Sequence, residues 1–292
     1  MLKISQSDLV ELIRKTSCEL PQDVLKTLQA AHRRETAKRA KFVLEQILRN
    51  LRMAEKIEQP ICQDTGVIHT YVYHPKDLDL EKFRKLFLGA VKKATQKGYL
   101  RPNSVDSLTS ANSNTNIGPG TGKFEFKTWN KPYVDIVIML KGSGSENVSR
   151  QYKLPSASLQ ADRDLAGVER CILDALVHAQ GRGCSPGFLG VCIGGDREKG
   201  YRVSKRQFLR KVQDKNKIKE LAKLEDQILK KANQLNIGPM GLGGKTTLSG
   251  VKITAINRHP GSYFVTISYM CWAYRRQGAR FDKDGKFMKW IY

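Results

Sequence analysis

The sequence predicts a mixed α/β fold, an N-terminal helical region followed by interspersed strands and helices with no simple doubly wound order. Three observations carry this. The first sixty residues are helix-patterned throughout, five short β-rich runs follow, and between them helical periodicity returns at irregular intervals.

In the helical region, about residues 1–58, apolar positions Ala37, Ala40, Val43, Leu44, Ile47, Leu48, Leu51 and Ala54 recur at three-to-four spacing and mark one core face. Ser5 or Ser7 suits the cap of the opening helix, and Pro21 suits the first turn of the next. Leu80–Lys97 and Ala161–Gln180 carry the same periodicity, and Lys205–Val212 and Ile218–Leu235 carry it more loosely. The expected strands are Val67–Tyr73, Tyr133–Leu140, Phe188–Ile193, Val251–Asn257 and Tyr263–Tyr269, each bounded by Gly, Pro or Asn. The 292 residues are expected to form a single domain, with the chemistry in the part from about 59 to 292. Asn-Ile-Gly-Pro occurs at Asn116–Pro119 and at Asn236–Pro239, which repeated turn chemistry explains without duplication.

A 40% hydrophobic fraction is ordinary for a globular protein. No run approaches the roughly 18 apolar residues of a membrane span, and the N-terminus opens as an amphipathic helix, so a cytoplasmic protein without a membrane partner is expected. The net charge of +23 favours anionic partners. Its Lys and Arg residues are nevertheless spread through helical segments such as Lys211–Lys231, with no zinc-finger or RNP-type pattern, which argues against a specific nucleic-acid surface.

The chemistry lies in loops rich in small and polar residues: Pro60–Gly66, Arg101–Asp106, Asn114–Gly122, Lys141–Asn147, Gly190–Asp196, Gly241–Thr247 and Ser268–Arg276. Glycine-rich loops let backbone amides approach oxyanions or cluster sulfides. Of six scattered cysteines, Cys62, Cys192 and Cys271 sit in such contexts, read either as small buried hydrophobes or as convergent thiolates. Cys18 and Cys171 fall in helical segments and read as core; Cys184, in Gly-Arg-Gly-Cys-Ser-Pro-Gly, stays open as a reserve ligand. The Lys245-Thr246-Thr247 stretch lacks the spacing of a phosphate loop.

The segments PICQDTG, NTNIGP, KGSGSEN and VCIGGD, with a C-terminal cysteine, run in one order from about Ile57 to Trp272. They closely resemble the α-subunit, or N-terminal domain, of class I fumarases and iron–sulfur L-tartrate dehydratases. The resemblance implies a cluster-binding cleft, with a [4Fe-4S] cluster on Cys62, Cys192 and Cys271 and one iron left open as a Lewis acid. It places Gln63 and Asp64 beside the cluster and gives Arg101 the role of pairing with a substrate carboxylate, which a planar bidentate donor suits. It assigns Gly142 a backbone approach to substrate and brings His259 near the reaction, so Asp64 and His259 are the candidate catalytic residues. His259 can equally be a hydrogen-bonded turn histidine, and Asn116 and Glu146 can be orienting groups or plain turn residues.

The implied reaction is reversible hydration of fumarate to malate with a separate β subunit, in a hetero-oligomer such as α2β2. Alternatives are the α subunit of an L-tartrate dehydratase, or a cluster-binding sensor without hydratase activity. In the family, a catalytic threonine and further substrate-binding cations belong to the β part, so this chain is expected to be inactive alone.

Overall fold

A computed structural model describes residues 4–292. The chain clusters into two compact units, one of residues 1–22, 49–143 and 273–292, the other of residues 23–48 and 144–272.

The first unit is built on a five-stranded sheet in the order β2-β1-β3-β8-β9, formed by Val67–His74 (β1), Lys123–Thr128 (β2), Tyr133–Lys141 (β3), Arg275–Asp282 (β8) and Phe287–Trp290 (β9). β1 and β2 run parallel and the other neighbours antiparallel. Helices Gln6–Cys18 (α1) and Leu80–Gln96 (α4) cover its apolar face. Leu9, Leu12 and Ile13 of α1 and Phe83, Phe87 and Val91 of α4 pack with Ile68, Val72, Val134, Ile136, Ile138 and Leu140 of the sheet. Both helices start where their sequences supply a cap: Ser5 Oγ accepts the Asp8 amide at 3.1 Å and Asp79 Oδ1 that of Lys82 at 3.0 Å, each satisfying an orphan donor of the first turn. Asp135 of β3 and Arg280 of β8 form a two-point pair at 2.7 and 2.8 Å.

The second unit has a four-stranded sheet in the order β4-β7-β5-β6, from Arg150–Lys153 (β4), Gly187–Ile193 (β5), Leu248–Ala255 (β6) and Phe264–Met270 (β7). β5 is buried along its whole length because helices lie on both faces, which is why it reads as an unbroken apolar run rather than an alternating one. Leu165–Ala179 (α6) and Lys219–Gln234 (α8) cover one face; Arg197–Arg206 (α7) packs on β5 and β7 from the other. Gln22–Arg34 (α2) falls in this unit from Asp23, as does the first half of Lys38–Ile57 (α3), and Ser143–Asn147 (α5) is one short turn.

The five expected strands are present, within one to three residues of their expected ends. The helix expected at Lys205–Val212 lies earlier: Asp196 Oδ1 accepts the Lys199 amide at 2.8 Å and starts α7 at once, and only a 3-10 turn, Gln207–Leu209, follows it. β2, β4, β8 and β9 were not expected: β4 and β8 open on polar residues, β9 is four residues long, and β2, Lys-Phe-Glu-Phe-Lys-Thr, carries its alternation on only two apolar positions. Both Asn-Ile-Gly-Pro asparagines take left-handed backbone, with φ 59° at Asn116 and 53° at Asn236, as turn chemistry requires. Among the described residues no helix is long and apolar enough to cross a membrane.

Candidate active site

In the first unit, the loop from α3 into β1 carries Cys62, Gln63 and Asp64, and hydrogen bonds fix it from inside. Asp64 Oδ1 accepts the Gly66 amide at 3.0 Å, while Oδ2 accepts the amide and hydroxyl of Ser143 at 2.7 and 2.8 Å. Two glycines permit this arrangement. Gly66 has φ +81°, and a Cβ there would stand 2.6 Å from the Lys141 carbonyl; a Cβ on Gly142 would come within 2.9 Å of Asp64 Oδ2.

The Arg101 segment is tied to the same loop through asparagines. Asn116 donates from Nδ2 to the Arg101 carbonyl at 2.8 Å and accepts the Asn103 amide at 2.8 Å, and Asn103 Nδ2 donates to Thr65 Oγ1 at 3.0 Å. Around these groups lies a cavity of about 710 Å³, lined among others by Gln63, Asp64, Arg101, Asn103, Asn116 and Ser143. The structure thus brings Gln63, Asp64 and Arg101 to one cavity, with Gly142 against the Asp64 carboxylate. Asn116 acts both as a turn residue and as the group that positions Arg101. Asn103 and Ser143 lie inside the motifs RPNSVD and KGSGSEN, but sequence reading assigned them nothing; a short polar side chain two residues after Arg101 and one directly after Gly142 were the available signal.

Concave, partly apolar and rimmed by a few convergent polar groups, this cavity has the character of a small-ligand site. Arg101 is an exposed cation at its edge, suited to a carboxylate.

The second unit holds the remaining candidates, and the strand register separates two of them. Cys192 lies opposite Thr266 in the antiparallel β5–β7 ladder, whereas Cys271 follows Met270, which lies opposite Phe188. The two cysteines therefore sit at opposite ends of one strand pair, five residues or about 17 Å apart, too far to ligate one small cluster. Cys192 is 0% exposed and burial pushes its thiol up to about 12, the behaviour of a small core hydrophobe. Cys184 is what stands beside Cys271: the Trp272 amide donates to the Cys184 carbonyl at 3.1 Å, and burial together with both neighbouring cysteines raises the Tyr269 hydroxyl. The register thus places Cys184, the reserve candidate, and not Cys192, beside Cys271.

Cys18 and Cys171 are buried in α1 and α6, and burial raises each thiol to about 12, in line with a core role. His259 lies in an exposed turn, where Nδ1 accepts the Gly261 amide at 3.1 Å. Glu146 pairs with Lys205 at 2.5 Å in the second unit.

The donor chemistry of a cluster site fits the residues present. Cys184 and Cys271 are adjacent in the second unit, and Cys62 is a half-buried loop thiol next to Gln63 in the first. Among the described residues no three His, Cys, Asp or Glu side chains are already gathered as a metal site. The glycine loop at Gly241–Thr247 holds an internal anion instead of a phosphate: the Lys245 amide donates to Glu35 Oε2 at 2.8 Å.

Comparison with known proteins gives these features a context. The chain matches the family model described as fumarate hydratase (Fumerase) over residues 6–280. It is 45% identical, over its full length, to a Geobacillus stearothermophilus protein provisionally named a class I fumarate hydratase, of which it spans 58%. It is 35% identical over 98% of its length to the whole of a Methanocaldococcus jannaschii protein provisionally named the α subunit of an L(+)-tartrate dehydratase. It is 28% identical over 89% of its length to 85% of the L(+)-tartrate dehydratase subunit alpha of Escherichia coli K12. With the model covering most of its length and two relatives above 30% identity, the chain belongs to the fumarate hydratase (Fumerase) family.

Proposed function

We propose that this chain is the α-type subunit of a hydro-lyase that reversibly hydrates fumarate to malate together with a separate β chain. The cavity of the first unit carries the reading, because Gln63, Asp64 and Arg101 line it together in a chain 45% identical to a relative named for that reaction. The relatives named as α subunits support a β partner, in an assembly such as α2β2. Free cysteines throughout support residence in the reducing cytoplasm.

The proposed cofactor is a [4Fe-4S] cluster on Cys62, Cys184 and Cys271. When bound, such a cluster leaves one iron to act as a Lewis acid toward the departing or entering hydroxyl. The chain's own residues bind and orient. Arg101 is assigned to one substrate carboxylate by a bidentate contact, and Gln63, exposed at the rim, offers an amide to the other polar groups. Asp64 is assigned to positioning rather than to proton abstraction, since three donors already hold its carboxylate and fix the Gly142–Ser143 backbone against the cavity. His259 has only Nε2 left to handle a proton, since Nδ1 is engaged.

A second reading, L-tartrate dehydration, rests on the end-to-end match to the Methanocaldococcus relative. Anaerobic co-expression with the β-type chain, cluster reconstitution, and assay against fumarate, malate and tartrate decide between them. Turnover of fumarate at a kcat/KM at least tenfold above that of tartrate is expected; activity with neither defeats the hydro-lyase reading.

A further inference from the structure

A second cation that sequence reading passed over stands close to the Asp64 corner of this cavity. Arg275 opens β8 and is 1% exposed, yet its Nε and Nη1 atoms are buried without a hydrogen-bond partner. A guanidinium is always charged, and burying it unpaired is among the costliest arrangements in a protein. Native structures rarely leave such donors orphaned, so each one calls for a missing acceptor.

Three facts locate that acceptor. Arg275 pairs with Leu140 in the β3–β8 ladder, and Leu140 pairs with Ile68 of β1, so the three side chains share one face of the sheet. Ile68 lines the cavity. A Cβ placed on Gly142 would stand 3.7 Å from Arg275 Nη2 and 2.9 Å from Asp64 Oδ2, which puts the guanidinium at the same corner as the Asp64 loop. The Asp64 oxygens accept from Gly66 and Ser143, and neither Nε nor Nη1 of Arg275 has a hydrogen-bond partner.

We propose that Arg275 is a substrate-binding residue: it receives one carboxylate of a small dicarboxylate in this cavity while Arg101 receives the other. The inference rests on the hydro-lyase reading for the identity of the ligand, but not for the existence of an anion site. One cation at the cavity's edge and a second, buried one beside its Asp64 corner select for an anion with two charged ends, and the deeper one fixes which end enters first. Gly142 and Gly66 keep the corner open, since a side chain at either would fill it.

The test compares wild type, Arg275→Met and Arg275→Lys as the full chain with its co-purified partner, by thermal melting and calorimetric titration with succinate, sulfate and butyrate. Removing an orphaned buried charge is expected to leave the ligand-free melting temperature of Arg275→Met at or above wild type. Succinate is expected to stabilise wild type. Its affinity is expected to fall at least tenfold in Arg275→Met and less in Arg275→Lys, which keeps the charge without the fork, while butyrate binds wild type far more weakly than succinate. Succinate affinity unchanged in both variants overturns the proposal, as does a lower ligand-free melting temperature in Arg275→Met with binding intact, which marks a structural arginine. If wild type binds neither succinate nor sulfate, the proposal is likewise overturned. Arg275-dependent binding of both anions in an assembly that turns over neither fumarate nor tartrate upholds the anion site and rejects the hydro-lyase reading. Turnover of fumarate with a wild-type KM in Arg275→Lys and Arg275→Met does the reverse.

Discussion

The two central strands β5 and β8 are both buried over most of their length and could hardly be less alike. β5 reads Gly-Phe-Leu-Gly-Val-Cys-Ile, is packed between helices, and is scaffold throughout. β8 reads Arg-Arg-Gln-Gly-Ala-Arg-Phe-Asp, and yet Arg275, Arg276 and Gln277 are as buried as the apolar residues of β5. A strand that buries apolar groups stabilises the fold directly, whereas one that buries guanidinium groups does so at a cost that only a bound anion or a dense polar network offsets. Buried polarity inside a sheet therefore marks a place where the fold spends stability, as an apolar strand does not.

The largest effect tests the claim that β5 is scaffold. Cys184→Ser is expected to abolish the cluster's visible absorbance after anaerobic reconstitution, while Cys192→Ala keeps most of it. The reverse outcome restores Cys192 as a ligand and breaks the contrast between the strands. Next comes the corner beside β8. Gly66→Ala forces a side chain into left-handed backbone 2.6 Å from the Lys141 carbonyl, and is expected to cost about 2 kcal/mol or more in urea unfolding. Asp64→Asn keeps the shape but weakens the acceptor for Ser143, with an expected fall in kcat/KM of tenfold or more and little change in melting temperature.

The smallest effect concerns the second unit. Burial pushes the Asp214 carboxyl up, but hydrogen bonds from Arg210 and Lys252 and their charges outweigh it and hold the pKa below the usual carboxylate value. A lowered folded pKa means stability that is fully present above the unfolded value of about 3.9 and is lost as pH falls through the folded one. Asp214→Asn is accordingly expected to lower the melting temperature slightly at pH 7 and to converge with wild type below about pH 4, so that the acid limb of its melting-temperature profile is flatter.

How much of this was readable in the sequence follows from the same contrast. β1, β3, β5, β6 and β7 announce themselves because their burial is written in apolar residues, and helices α1 and α4 because period and cap agree. β8 stayed hidden because Arg-Arg-Gln reads as surface until its neighbours on the sheet are known. The Gln63, Asp64 and Arg101 set was visible through motif resemblance, and Asn116 through its place in a repeated turn. The separation of Cys192 from Cys271 was not legible: a sequence tells that a cysteine ends a strand, but only the antiparallel register tells at which end of the sheet it emerges. The motif around Cys184 held the same information without a strand to advertise it.

Glu35 closes the glycine loop at Lys245 from within, its other oxygen taken by the amides of Thr36 and Ala37. A plug of this kind leaves the Lys245 amide already satisfied by a fixed carboxylate, with nothing to offer an anion from the surrounding solution.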